Sequence, residues 1–487
     1  MTPLEGFQPD LDPSTPGVLT DCSNIIPTIS GMAADKSLYA ATTAAAGTCY
    51  GASLIPLLNG TKRQIYGTAT KLYEYSGSGW LDRSRVAAYT TGPDSRWRFE
   101  SFGNIVLATN GADIIQASTS TTFADLATAP KAQSIVVVAG FAMAFNTTAS
   151  ASSAAGGDSP DGWWCSALYD YTNWTPSVTT QSAYGRILDQ SGPITAAKRL
   201  GDNVVVYKGN AMYLMSYIGP PIIWSSQQIS STVGCEAPDG VVNTGTAHIF
   251  WSQNNFWIYD GSRPVEIGWP VRKWWMKDSS ASYRYKMVGQ YDRTNNLARF
   301  WYVSAGSTTG KLDRCLVYNI TTGKWGRADK AIDQVCDYVT PGMTYDAFPG
   351  SPTQTWDTSI DRTYDSPLWT SSDVLPAVVT SDFKIKTISD TPGESMLLTG
   401  DYGNDNQYSN LRRVRGHFIA LPASAAISVE SRADMGAAYS VNTKTANLNG
   451  SKFDVLISGR YHRGRITTQG AMELSGIEFQ MDPGGIR

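Results

Sequence analysis

The chain has 487 residues with 45 glycines and 24 prolines, and 17% charged and 11% aromatic side chains; it is too long for one ordinary domain and too glycine-rich for a helical one. Fifteen Trp, 25 Tyr and 14 Phe supply enough apolar area for a rigid core and exclude disorder over most of the chain. A formal net charge of −3 gives no overall basic field to hold nucleic acid by counterion release, which argues against a repressor-like binder.

In chain order, residues 1–40 are rich in Pro, Asp and Ser and read as an extended arm threaded over a surface, not as a core element. Residues 41–345 lack helical periodicity and instead repeat short β-branched and aromatic runs broken by Gly, Asn, Ser and Thr. Four hairpins are explicit: RQIYGTATKLYEY (63–75), NIVLATNGADIIQ (104–116), NVVVYKGNAMYLM (203–215) and HIFWSQNNFWIYDG (248–261). Each joins two strands through a pair, Gly-Thr, Asn-Gly, Gly-Asn or Asn-Asn, that tolerates positive φ. IVVVAGFAMAF (135–145) and ARFWYVSAGSTTGKLDRCLVYN (298–319) continue the series, and TTASASSAAGGDSP (147–160) is a low-complexity surface loop. Residues 346–487 open on the proline-spaced FPGSPTQTW and continue as alternating strands such as DFKIKTI (382–388), KFDVLISGRYHRGRI (452–466) and MELSGIEFQM (472–481), which makes a second β unit.

The turn centres fall near residues 67, 110, 209 and 254, at intervals of 43, 99 and 45, so the underlying period lies in the mid-forties. An antiparallel unit of that length cannot bury both faces alone, and a repeat of such units predicts an all-β chain built on a β-propeller of six or seven blades. A run of β-sandwich domains with similar hairpin spacing is the alternative.

Little in the sequence carries chemistry. Cys22, Cys49, Cys165, Cys235, Cys315 and Cys336 include no pair at zinc or redox spacing and are expected as buried thiols. The opening MTPLEGFQPD has no apolar run, and the longest apolar stretch, Ile135 to Phe145, is too short for a bilayer, so folding in a reducing cytoplasm is the expectation. His248, His417 and His462 have no partner at metal-binding spacing, and no nucleophile elbow, Walker loop or dinucleotide fingerprint occurs. Three carboxylate pairs, Asp158 with Asp161, Asp357 with Asp361 and Asp401 with Asp405, sit in turns where Asp serves backbone capping rather than glycosidic cleavage. No catalytic residue, cofactor or metal is expected.

Charge is uneven. Basic residues concentrate between Arg272 and Arg299, at Arg412, Arg413 and Arg415, and at Arg460, Arg463 and Arg465. These clusters suit protein docking or phosphate contact, against the plainer reading of solvated strand faces paired with acids. Period two puts Arg463 and Arg465 on one strand face. The pairs Trp163-Trp164 and Trp274-Trp275, read as strand residues, point to opposite faces and are assigned to core packing rather than sugar stacking.

Several strings together, PDLDPSTPGVLTDCSNIIPTISG, RFESFGNIVLATNG (98–111), SALYDYTNWTPS (166–177), GPITAAKRLGDNVVVYKGNAMYLMSYIGPP (192–221), FWIYDGSRPVEIG (256–268) and SGRYHRGRI with a terminal GGIR, resemble the tail nozzle, or tail tubular protein B-like, proteins of short-tailed bacteriophages. The resemblance implies a homo-hexameric ring under a tail adaptor ring, with the N-terminal and C-terminal β parts forming a platform. It also implies contacts with tail fibres or spikes, passage of double-stranded DNA along the ring axis, contact with the host envelope during infection, and a place in the distal tail of the virion. The function implied is mechanical: tail extension, genome retention and DNA conduction, without an active site. A conduit must not bind the phosphates it passes, so a neutral or acidic lumen is expected, with Arg412, Arg413, Arg415, Arg460, Arg463 and Arg465 turned toward protein partners. The rival reading is a receptor- or polysaccharide-binding, even glycan-cleaving, propeller of a tail fibre or spike; no coiled-coil heptads for a fibre stalk are visible.

Overall fold

The computed structural model describes residues 1–148, 159–339, 373–440 and 443–485. The loop 147–160, the FPGSPTQTW stretch and the pair Asp357 and Asp361 therefore lie wholly or mostly outside the described residues, as does Asp158.

The expected hairpins form, and each grows into a four-stranded antiparallel sheet. Among the described residues six sheets are self-contained: blade 1 (51–82), blade 2 (98–125), blade 3 (131–186), blade 4 (194–230), blade 5 (242–266) and blade 7 (334–390 with 37–40). Blade 6 (288–332) is the first four strands of a ten-stranded sheet. The first strand of each blade touches the first strand of the next, and Gln334–Val339 touches Gly51–Pro56, closing a β-propeller. Two-residue turns form at Ala139-Gly140, with φ of 49° and 80°, and at Gln253-Asn254, one residue before the expected Asn-Asn pair, whereas Gly67 pairs with Leu72 and Tyr207 with Met212 across longer connections than the expected Gly-Thr and Gly-Asn turns. At Asn110-Gly111 the connection is longer than the expected tight turn, with Ala108 paired to Gln116, because the Asn110 side chain accepts from the Ala112 and Asp113 amides and holds an open loop.

The division at residue 345 does not describe the pairing. Val374–Val379 and Ile385–Asp390, expected in the C-terminal unit, belong to blade 7: the first pairs with Gln334–Val339, the second with Val374–Val379, and the outermost strand is Ser37–Ala40 from the N-terminal arm. The ring is thus closed by strands distant in sequence, a pairing that no local periodicity announces.

The remaining ends of the chain make the platform, two packed sheets. One continues blade 6: Trp325–Ile332 is followed by Ile25–Pro27, Met32–Ala34, Glu473–Gly485, Tyr408–Ala420 and Lys452–Gly459. The other runs Gly6–Phe7, Val18–Ser23, Glu394–Thr399, Tyr461–Gln469, Ser424–Arg432 and Lys444–Asn447. Leu411, Val414, Leu474 and Ile477 of the first meet Leu19, Leu397, Ile427 and Ile466 of the second in one core. That core runs on without a break into blades 5 and 6 through Trp251, Phe256, Phe300 and Trp325; the Phe256 and Trp325 rings lie 5.1 Å apart.

The arm is therefore a core element, contrary to the surface path expected of it. Leu4, Phe7, Leu19, Cys22, Ile25 and Met32 are fully buried, because short apolar steps between its prolines fit sheet edges that would otherwise be bare. Gly326 makes the junction with blade 6: a Cβ there would stand 2.4 Å from the Ile25 carbonyl oxygen. Polar clamps fix the arm further. Asp10 accepts from the Lys273 and Trp274 amides at the start of the helix Arg272–Asp278, at 2.6 and 2.9 Å. Arg327 donates to Asp21 at 2.7 Å and to Asp329 at 3.1 Å.

Trp274 and Trp275 lie on that helix, not on a strand, so they diverge by helical geometry; Trp275 is fully buried against Trp251, with ring centroids 3.9 Å apart. Trp163 and Trp164 are buried in blade 3 as core residues. All six cysteines are buried free thiols. Among the described residues, no helix is long and apolar enough to cross a membrane.

Candidate functional site

Two regions concentrate polar side chains: the outer faces of the platform and the propeller axis. On the platform, strand alternation decides which side chains face out. In Tyr408–Ala420, Leu411 and Val414 turn into the core, and a register shift between Leu411 and Arg413 leaves Arg412, Arg413 and Arg415 outward. Arg412 lies 2.5 Å from Asp482 and Arg413 2.5 Å from Asp454, while Arg415 is opposite Glu478 across the strand pair. In Tyr461–Gln469 of the other sheet, His462, Gly464 and Ile466 point inward, so Arg463 and Arg465 share the outer face as period two requires. Arg463 binds Glu430 at 2.6 Å and stacks on Tyr439, with its guanidinium 3.3 Å from the ring centroid. Arg460, in the turn before, reaches Asp434 at 2.8 Å and lies over Tyr408. Arg465 is exposed and makes no ion pair among the described residues.

The structure thus does not gather the six arginines into one patch. Arg412, Arg413 and Arg415 belong to one outer face of the sandwich, and Arg463 and Arg465 to the opposite one. Most are matched by acids, so neither face is a surface of uncompensated positive charge; each is a mixed-charge face. The third basic cluster disperses. Arg299 is wholly buried, 2.9 Å from Asp35 and 3.5 Å from Asp292, and serves as the anchor of the arm in blade 6.

At the propeller axis the first strands of the blades surround a cavity of about 820 Å³ lined by Ser53, Glu100, Lys198, Tyr291, Arg293 and Asp337 among others. Toward the other end, Arg98 of blade 2 donates twice to Asp239, at 2.8 and 2.9 Å, and once to the Gln133 carbonyl at 2.6 Å. Burial pushes the Glu100 carboxyl up to about 7 against the pull of Lys198 and Arg199. Burial likewise raises Asp337 to about 6, with Arg293 opposing. Two carboxyls from blades 2 and 7 that change charge near neutrality therefore share a polar well with cations, a setting that suits hydroxyl-rich or mixed-charge ligands.

Glu100 and Asp337 lie far apart along the chain, unlike the carboxylate pairs that the sequence offers. Asp161 instead binds Arg186 at 2.9 Å, Asp401 is buried against Arg432 and Tyr439, and Asp405 accepts from the Tyr461 hydroxyl at 2.6 Å. The available signal was positional: Glu100 and Lys198 are charges on the first strands of otherwise apolar repeats. Of the histidines, His248 is buried between the Tyr207 hydroxyl and the Arg199 carbonyl, at 2.9 and 3.0 Å, and burial lowers it to about 4. His462 is buried beside Ser409, and His417 lies 3.6 Å from Glu478. Among the described residues no three His, Cys, Asp or Glu side chains converge as a metal site would need.

Strand pairing and closure define the class: a β-propeller with an additional β platform built from the N-terminal arm and the C-terminal region. No protein-family model and no curated protein matches the chain. Among solved structures it is similar to PorZ, a surface component of the type-IX secretion system of Porphyromonas gingivalis, at 8% identity and a TM-score of 0.36, over 75% of this chain and 43% of that one. It is also similar to the WD40 β-propeller domain of Doa1 (7% identity, TM-score 0.39, 72% of this chain and 96% of that one). A third is the Neurospora crassa Pan2 WD40 domain (6% identity, TM-score 0.38, 70% and 88%).

Proposed function

We propose that the chain is a structural virion protein of a short-tailed phage that forms a ring-shaped tail nozzle, extending the tail, retaining the genome and conducting DNA during ejection. The observation that carries this reading is the ten-stranded sheet shared by blade 6 and the platform. A propeller joined to its platform by a shared sheet, through the pairing of Arg327 with Ile25, and by a common core transmits load without a hinge, which a stiff tail segment requires. The resemblance of the dispersed strings to nozzle proteins points the same way. The two mixed-charge platform faces lie back to back, the arrangement a head-to-tail ring needs, where one face of each subunit meets the opposite face of its neighbour. Six copies at −3 each carry −18, which keeps the assembly from clamping the DNA it conducts.

The test is imaging of the purified chain with and without the adaptor ring. A sixfold ring with an open axis, and with Arg412, Arg413, Arg415, Arg460, Arg463 and Arg465 away from the bore, is the expected result. A ring with these arginines lining the lumen, or a monomer that adaptor rings do not recruit, would overturn it.

The axial cavity favours a second reading, a polysaccharide-binding propeller of a fibre or spike. In that case capsular oligosaccharides bind with measurable heat, and Glu100→Gln or Asp337→Asn abolishes the binding while the ring test fails.

A further inference from the structure

The outermost strands of a propeller are open sheet edges, and this chain protects nearly all of them. In blades 1, 2, 3 and 5 they are Trp80–Asp82, Ala124–Asp125, Ala183–Arg186 and Val265–Glu266, each at most four residues long and each ending in a charge. Ser37–Ala40 of blade 7 is equally short and follows Lys36. Shortness and charge are the devices by which edges avoid pairing with other chains. Blade 6 has a long outer strand, Trp325–Ile332; the arm strand Ile25–Pro27 joins it at Arg327, and the arm strands Gly6–Phe7 and Val18–Ser23 pack beside it.

Blade 4 departs from this rule. Its outer strand, Ile223–Ser230, has eight residues, and no charged residue occurs between Lys208 and Glu236. It pairs with Met212–Gly219, and no described strand pairs with its other edge. Ser225, Ser226, Gln227 and Gln228 are exposed in succession, so the middle of the strand projects clear on both faces, while Ile223 and Trp224 at its start are buried against blade 3. At one end the hairpin tip presents Ile218 and Ile222, 53% and 63% exposed.

We propose that this edge is a docking site for an extended, uncharged strand of another protein, with apolar residues at the end that meets Ile218 and Ile222. Backbone hydrogen bonds supply the affinity in such strand addition, and the apolar tip fixes direction and register. The arm on blade 6 shows, at the single pairing of Ile25 with Arg327, a short apolar segment adding to an outer strand of the same length. A second copy of this chain is the weaker occupant: antiparallel pairing about a twofold axis would place the two apolar tips at opposite ends and leave both uncovered. The inference is independent of the nozzle reading.

The experiment uses the full chain and a blocked ten-residue peptide of alternating Thr and Val with leucines at both ends, followed by hydrogen exchange resolved to residues 212–230. At a peptide concentration about nine times its Kd, amides of Ile223–Ser230 exchange about tenfold more slowly. The doubly substituted variant Ser225→Lys, Gln227→Lys, at solvent-exposed positions and checked for unchanged circular dichroism and Tm, loses that protection, and so does the wild type with a peptide N-methylated at alternate amides. Protection that survives either change, protection elsewhere only, or none at saturating peptide overturns the proposal. A concentration-dependent dimer of the free chain that the double variant abolishes overturns it in favour of self-pairing.

Discussion

Asp35 shows how much of this fold rests on single side chains. Burial alone would raise its carboxyl, yet Arg299 and Lys330 outweigh that effect and hold it at about 2. With the folded value below the ordinary carboxylate value, the stabilisation is complete above about pH 4 and is lost as pH falls toward 2. Asp35→Ala leaves Arg299 buried beside Asp292 alone and is expected to cost about 3–5 kcal/mol in urea unfolding at pH 7. Glu100 has the opposite sign. Its folded value near 7 lies above its unfolded one, so the folded state binds more protons between about pH 4 and 7 and stability falls as pH rises through that window. Glu100→Gln should therefore raise Tm at pH 8 and leave it nearly unchanged at pH 4; equal shifts at both would refute a half-buried, protonation-coupled carboxyl. Neither role was legible in the sequence. Arg299 counted there as one more member of a basic surface run, because charge runs record composition and not depth, and Glu100 has no acidic neighbour along the chain to mark it.

At the level of elements, the hairpins were legible because each needs only its own strands and turn, and period two with Gly and Asn at the bends specifies both. What stayed hidden were the elements completed by remote partners. Ser37–Ala40 joins Ile385–Asp390 across most of the chain, and the arm meets blade 6 through the pairing of Arg327 with Ile25. Such contacts leave no periodicity, only a small residue where backbones approach. Gly326 is that residue, and Gly326→Ala is expected to cost about 1–3 kcal/mol, since its methyl group would meet the Ile25 carbonyl, Pro27 and Ile26. Hydrogen exchange should show the loss first in Ile25–Pro27 and Trp325–Ile332, with blades 1 to 4 unaffected.

On the scale of the molecule, a propeller and a platform that share a sheet and a core should melt together. Scanning calorimetry of the full chain is expected to give one transition with equal calorimetric and van't Hoff enthalpies; two resolved transitions would show that the weld at blade 6 carries no cooperativity. The all-β propeller was legible from the mid-forties repeat, whereas the weld was not, for it joins residues near both ends of the polypeptide. That interlock has a bearing on biosynthesis. Thr2 and Pro3 lie opposite Ile477 and Gly476, so this strand waits for a partner translated much later. At about 5–20 residues per second it remains unmatched for tens of seconds on the ribosome. Its closely spaced prolines and acids, Pro9 through Pro16, suit that interval, keeping the nascent tail from pairing prematurely until its seat has been made.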